Sequence, residues 1–339
     1  MNHKSKTIFS CTPRFFITWF LLAALACIIY ALVVFGSLVS KTVVPSNNVP
    51  KTIPYITIPS KYDVYLQFDS TPSSVNKMFQ GSLFMTFVAR DVTQRLFLHR
   101  GDKLKITLIE IDDGNGTISQ PTAGAFDKST DVQAYIPVSN LTTDNTYVLH
   151  MEFTGELDNV ALGPNHLSYS LQNGTNRNAV IFGHTVSQTI GLRYLIPCLD
   201  SQDFPAEFNF NIRHSPQYQA ISNFVGYRQE SSQFTATVFN STFATSPYQI
   251  AFALVDTAIV VEQMRYENLT ISKYFQQFDI STISSDRIIQ FMGIKTVDIG
   301  KIDVLSLPGL ITVQQPGISF LDSHDVLREN IDLGLINTT

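Results

Sequence analysis

A mainly-β ectodomain is the fold class this sequence predicts: a β-sandwich followed by a short α+β stub and preceded by one transmembrane helix. Three observations carry it. Apolar residues recur at every second position in several stretches, which places one strand face on a core and the other in water. No helical pattern interrupts these stretches before residue 259, which argues for a sandwich rather than a helix-covered sheet. One long apolar run, Phe15 to Val39, stands near the N-terminus and contains no charged residue.

That run is 25 residues long, enough to cross a hydrocarbon core of roughly 30 Å at about 1.5 Å per residue. A cleaved signal peptide has an apolar centre of about 7–15 residues and a small-residue cleavage site. This run is longer, and Leu38 and Val39 lead into Lys41 without such a site. Lys4, Lys6 and Arg14 precede it, and the first acidic residue is Asp63. Basic flanks stay cytoplasmic, so the expectation is a type II protein of the plasma or secretory-pathway membrane. Residues 1–14 are then a cytoplasmic tail and 15–39 a signal anchor. Pro45, Pro50 and Pro54 make 40–54 an extended stalk.

The sandwich is expected over 55–258. Tyr62, Val64, Leu66 and Phe68 alternate with other residues, as do Tyr147, Leu149, Met151 and Phe153. Phe208, Phe210 and Ile212 repeat the pattern, and Phe234 to Phe239 is rich in Thr and Val. Gly81, Gly101, Gly114, Gly116, Gly155 and Gly163 recur at turn-like intervals. The stub is expected over 259–339, with a short helix capped by Ser284-Ser285-Asp286 and a second over Asp322 to Asn330. Lys301 to Leu307 reads as a strand between them.

At 339 residues with 44% apolar and 15% charged positions, the chain can bury a proper core. It carries 28 acidic against 23 basic side chains, and four of the basic ones lie at or before Lys41. Nothing in such an ectodomain favours nucleic acid or anionic lipid. Cys198 is the one cysteine beyond the membrane run, so no internal ectodomain disulfide is available and its apolar neighbours predict a buried thiol. Six glycosylation acceptors follow the run, at Asn115, Asn140, Asn173, Asn240, Asn268 and Asn337.

Local signatures of chemistry are sparse. The seven His include no pair four apart, so no HExxH helix can place two imidazoles on one face around a metal. There is no G-x-S-x-G elbow, Walker loop or C-x-x-C pair. Asp112-Asp113-Gly114-Asn115-Gly116 lacks EF-hand spacing and reads as a hydrophilic turn. A nucleophilic triad meets only in the fold, and no local pattern points to one.

Arg193, Pro197-Cys198-Leu199-Asp200 and Ala206-Glu207-Phe208 resemble the A-R-x-x-x-P-C-x-D-E-P-x-x-K-A-x-F signature of the zinc aminopeptidases related to aminopeptidase N. In the same order stand Pro59-Ser60-Lys61-Tyr62, Phe79-Gln80-Gly81, Leu98-His99, Phe153-Thr154-Gly155, Ala220-Ile221-Ser222-Asn223, Ser246 to Phe252, and Lys301-Ile302-Asp303 through Pro308. Each is similar to a landmark of that family's N-terminal domain or of the strand before its exopeptidase loop. The resemblance implies an aminopeptidase-like N-terminal β-sandwich and a degenerate start of the catalytic domain.

The departures carry the functional expectation. The family's G-x-M-E-N loop supplies a Glu for the substrate's α-amino group, whereas this chain aligns there Ile311-Thr312-Val313-Gln314-Gln315. A neutral amide cannot make the charge-assisted pairing an ammonium group requires. The family's T-Q-x-E or T-Q-x-Q stretch aligns with Thr185-Val186-Ser187-Gln188, where Gln188 is within the family's range but Val186 lacks the amide, and D-E-P reads Asp200-Ser201-Gln202. No HExxH follows before Thr339, and without a metal there is no activated water. The expectation is a non-catalytic membrane glycoprotein without cofactor that binds an extracellular peptide or protein, or pairs with an active relative. Two alternatives stay open: a portion of an active zinc aminopeptidase, or a structural and adhesive glycoprotein. The contact surface is expected on the sandwich flank and 301–320. A stub lacking its catalytic domain is expected to expose Leu305, Leu307, Leu310 and Ile311, so that removing 259–339 raises solubility.

Overall fold

Every alternating segment becomes a strand whose apolar half faces inward. Tyr62, Val64, Leu66 and Phe68 are all buried, as are Tyr147, Leu149, Met151 and Phe153, and Phe208, Phe210 and Ile212. A computed structural model describes residues 49–68, 77–157, 163–170, 174–183, 191–231, 234–241, 243–266, 268–275, 300–310 and 312–323. The expected membrane run, the stalk up to residue 48 and the expected helix at 284–292 lie outside these residues. Among the described residues no helix is long and apolar enough to cross a membrane.

The largest sheet has eight strands in the order β13 (Gly226–Glu230), β14 (Thr235–Asn240), β11 (Glu207–His214), β1 (Thr57–Phe68), β2 (Met78–Ala89), β8 (Thr146–Glu156), β4 (Lys105–Asp112) and β5 (Ile118–Ser119). A four-stranded sheet follows the order β12 (Tyr218–Ser222), β15 (Phe252–Asp256), β10 (Asn176–Phe182) and β9 (Asn165–Ser170). A three-stranded one is ordered β3 (Leu96–His99), β7 (Val132–Ile136) and β6 (Thr122–Asp127). The inner face of the large sheet packs on both smaller ones in one core that joins Tyr62, Leu83, Met85 and Phe208 to Leu98, Tyr135, Phe182 and Phe252. This is the expected mainly-β sandwich. β1 and β11 pair in parallel with Tyr62 opposite Phe208, and their rings stack at 4.7 Å.

Two glycines expected at turns lie mid-strand. Gly81 on β2 stands opposite Phe153 on β8, and Gly155 on β8 stands opposite Phe79 on β2. A Cβ on Gly81 would come within 2.2 Å of the Phe153 ring, and one on Gly155 within 2.3 Å of the Phe79 ring. Each glycine is the recess for the other motif's ring. The turn at Asp112 to Gly116 is as expected: Asp113 Oδ1 accepts from the backbone N–H groups of Asn115 at 2.9 Å and Thr117 at 3.1 Å.

The stub forms a five-stranded sheet ordered β16 (Val260–Tyr266), β17 (Leu269–Phe275), β18 (Lys301–Leu307), β20 (Ile318–Asp322) and β19 (Val313–Gln315). The expected strand at 301–307 is β18. Asp322, expected to open a helix, ends β20, and the rest of that helix lies outside the described residues. The expected exposed patch is overturned. Leu305, Leu307 and Leu310 are buried in a second core with Ile181, Ala253 and Val255 of the four-stranded sheet, and Ile311 lies outside the described residues. That sheet is apolar on both faces because it is sandwiched twice, so the core crosses the boundary expected at 258/259.

Two outcomes follow from this packing. Removing 259–339 bares the outer face of the four-stranded sheet, so the remainder should aggregate in a refolding and light-scattering assay; a monodisperse product would show the stub to be dispensable. Gly81→Ala or Gly155→Ala should each cost about 1–3 kcal/mol through overpacking, read as a lower denaturant midpoint.

Candidate functional site

The signature built around Arg193 is a buried strut. Gly191 to Leu195 forms a 3₁₀ turn that points the Arg193 side chain inward. Asp200 Oδ2 accepts from Arg193 Nε at 2.8 Å and from the N–H groups of Gly191 at 3.1 Å and Arg193 at 3.3 Å. Arg193 Nη2 donates to the Asp200 carbonyl at 3.0 Å and Nη1 to the Thr130 carbonyl at 3.1 Å. The Asp200 N–H donates to His99 Nδ1 at 3.0 Å, and the Leu199 N–H donates to the Tyr62 hydroxyl at 3.2 Å. His99 and Cys198 exchange backbone bonds of 2.8 and 3.1 Å. Pro197 and Cys198 are buried, as expected for the Cys198 thiol, and burial pushes that thiol up. Ala206 bridges Thr245. Ser201 and Gln202, where the signature departs, sit in the turn beyond the strut, and Gln202 is exposed.

A second joint gathers motifs far apart in sequence. Lys301 Nζ donates to Asp303 Oδ2 at 2.5 Å and to the Ser222 carbonyl. Burial raises the pKa of Asp303, and the Lys301 cation offsets part of that rise. Asn223 Oδ1 accepts from the Ala251 N–H at 3.0 Å, and its Nδ2 donates to the Gln249 carbonyl at 3.1 Å. Gly317, at φ 81°, closes the β19–β20 hairpin so tightly against this loop that a Cβ would lie 2.4 Å from the Asn223 carbonyl oxygen. Gln315 is buried, and its Nε2 donates to the Tyr248 carbonyl at 3.2 Å. The joint fixes the hairpin against the sandwich, with β19 at the edge of the sheet among the described residues.

Residues 58–249 match the Peptidase M1 N-terminal domain. The chain belongs to this family. Aminopeptidase N of Oryctolagus cuniculus is 28% identical over 219 residues, covering 60% of this chain and 21% of the relative. Human glutamyl aminopeptidase is 25% identical over 207 residues, covering 60% and 21%. Aminopeptidase N of Plutella xylostella is 27% identical over 219 residues, covering 59% and 22%. The chain spans about a fifth of the length of these curated relatives.

In this member of the Peptidase M1 N-terminal domain family, Arg193, Pro197, Cys198, Asp200, Ala206 and Phe208 all serve the frame. Of the four substrate-contact positions, Gln314 lies on β19 opposite Ser319, and Gln315 is engaged in the joint. Val186 and Gln188 lie outside the described residues. Among the described residues no group of three or more His, Cys, Asp and Glu could hold a metal. The acceptors Asn115, Asn140, Asn240 and Asn268 are exposed, while Asn173 and Asn337 lie outside the described residues. Sequence reasoning missed the contact between Gly317 and Asn223 and the 2.8 Å bond from the Tyr194 hydroxyl to Asp131. The left-handed Gly in Pro316-Gly317 was a legible turn signal for the first; nothing local marked the second.

The strut has an acid-sensitive member. Burial, with the Arg193 cation beside it, lowers the His99 pKa from 6.5 to about 3. The folded chain therefore binds fewer protons than the unfolded one between those values. Stability should fall as pH drops through this window by about 1.4 kcal/mol per unit. His99→Asn, whose Oδ1 can still accept from Asp200, should remove that part of the slope. Equal denaturation slopes between pH 6.5 and 4.5 for the two proteins would show His99 to be charged when folded.

Proposed function

We propose that the chain holds an extracellular peptide or protein along the edge of its second sheet, or pairs there with an active relative, without exopeptidase chemistry at that edge. The observation that carries this reading is Gln314. It lies on β19, which pairs with β20 and ends the β16-β17-β18-β20-β19 order among the described strands, at the position where the resemblance expects a carboxylate. An amide there offers no countercharge to a peptide's α-ammonium group. Among the described strands the outer edge of β19 has no neighbour, and such an edge offers main-chain pairing to an extended segment. The joint that anchors Gln315 and Gly317 holds this edge rigid, as a docking strand requires.

The chain's place in the cell belongs to the same proposal. The apolar run Phe15 to Val39 supports a type II anchor, and four exposed Asn acceptors support a glycosylated outer face. A second reading rests on the relatives: proteins named aminopeptidases match this chain over about a fifth of their length. It takes the chain as the N-terminal portion of a zinc aminopeptidase, with the metal held by a separate catalytic domain of that enzyme.

Binding of one peptide with a free or an acetylated amino terminus separates the readings. The chain should bind the two within about twofold, and Gln314→Glu should favour the free amine by about tenfold, near 1.4 kcal/mol. A strong preference for the free amine in the unchanged protein would sink the non-catalytic reading. Zinc content and amino-terminal cleavage by protein extracted from its native membrane test the second.

A further inference from the structure

Three polar side chains on the solvent face of the large sheet stand in series. Ser82 Oγ lies 3.3 Å from His150 Nε2, and His150 Nδ1 lies 3.3 Å from Glu110 Oε2. The strands set this line without any loop. β8 lies between β2 and β4, with His150 opposite Phe84 on one side and Glu110 on the other, and Ser82 is two residues from Phe84 on the same face. The Phe84 ring stacks on the imidazole at 4.4 Å and 3°, which fixes its plane. Gln120 Nε2 donates to the second carboxylate oxygen, Oε1, at 3.4 Å. With Nδ1–H directed at Glu110, the Nε2 lone pair faces the Ser82 hydroxyl. A nucleophile bonded to a base that a third group orients is the arrangement that activates a hydroxyl.

Ser82 also borders a cavity of about 530 Å³ on this face, shared with Tyr65, Gln80, Glu152, Thr154 and Arg213. We propose that Ser82, His150 and Glu110 form an acyl-accepting site for small, uncharged activated esters. Tyr65, 48% exposed, offers a flat apolar wall, and Glu152 disfavours anionic acyl groups. As the Ser82 Oγ–carbonyl carbon bond forms, the hydroxyl proton moves to His150 Nε2. The carbon–oxygen bond to the leaving alcohol then breaks, and that oxygen takes the proton from Nε2–H. Water repeats the sequence to release the acid. The backbone N–H groups of β2 are engaged in the ladders with β1 and β8, and the Arg213 guanidinium of the same cavity stacks on Phe234, so neither is set to meet a developing oxyanion. A missing oxyanion donor costs about 10²–10³ in rate, so the site should acylate slowly and accumulate the adduct rather than turn over fast.

The test treats the full chain with p-nitrophenyl acetate and follows acetylation residue by residue by mass spectrometry, with exposed Ser170 as the internal reference. Ser82 should acetylate at least about tenfold faster than Ser170. His150→Gln should slow it by about 100-fold, Glu110→Gln by about tenfold, and Glu110→Asp should recover much of the loss. Recovery by the shorter acid reports orientation of His150, which a merely structural Glu110 would not produce. Thermal unfolding of each variant checks the fold, and Glu110→Gln carries the same comparison if His150→Gln does not fold. Acetylation of Ser82 at the Ser170 rate, or insensitive to Glu110→Gln, overturns the proposal and leaves three surface hydrogen bonds.

Discussion

The burial of one guanidinium organises this chain. Arg193 is 7% exposed, and an unpaired cation there would cost several kcal/mol. Its Nε faces Asp200 and its two remaining nitrogens face main-chain carbonyls, so the charge is met on every side. Asp200 in turn orders the turn from Gly191 and reaches His99 at the end of β3. The three-stranded sheet, the 3₁₀ turn and β1, through Tyr62, are thereby held to one point. Such a network adds little net stability over an apolar replacement of equal shape. It specifies instead how elements with little periodic structure of their own come together.

The sandwich was legible because its signal repeats. Tyr62 to Phe68, Tyr147 to Phe153 and Phe208 to Ile212 each carry their burial pattern in local sequence. The stub was misread for a physical reason. Leu305, Leu307 and Leu310 read as an exposed apolar patch because sequence does not say which surface covers them. The answer lies in a four-stranded sheet apolar on both faces, with Ile181, Ala253 and Val255 on one and Val180, Phe182 and Leu254 on the other. A strand buried on both faces loses its alternation and hides its second interface. Gly81 and Gly155 were misplaced for a related reason: a recess for a cross-strand ring and a turn both demand glycine, and only the register tells them apart.

The candidate site divides the same way. The Arg193 to Phe208 signature was visible as a pattern, and its residues form the buried frame of the domain. The joint was visible only as three separate motifs around Asn223, Tyr248 and Lys301. That Gln315 reaches the Tyr248 carbonyl in the joint required the hairpin. Ser82, His150 and Glu110 are spaced by 68 and 40 residues, and only the strand order β2-β8-β4 brings them into line.

The position of Gln314 has a consequence for the kind of partner the edge would select under the proposed reading. The chain as a whole carries a net charge of −5, and its field draws cationic segments toward it whatever stands at position 314. Such a field is screened within about 8–10 Å at physiological salt and cannot tell a peptide's terminus from a lysine along its length. Discrimination at the terminus needs a carboxylate within hydrogen-bond reach. With an amide in its place, what remains is the edge of β19, whose main-chain groups pair with any extended segment free to lie alongside. The edge would then select for extended conformation and neighbouring side chains, and internal segments of a folded partner would suit it as well as peptide ends.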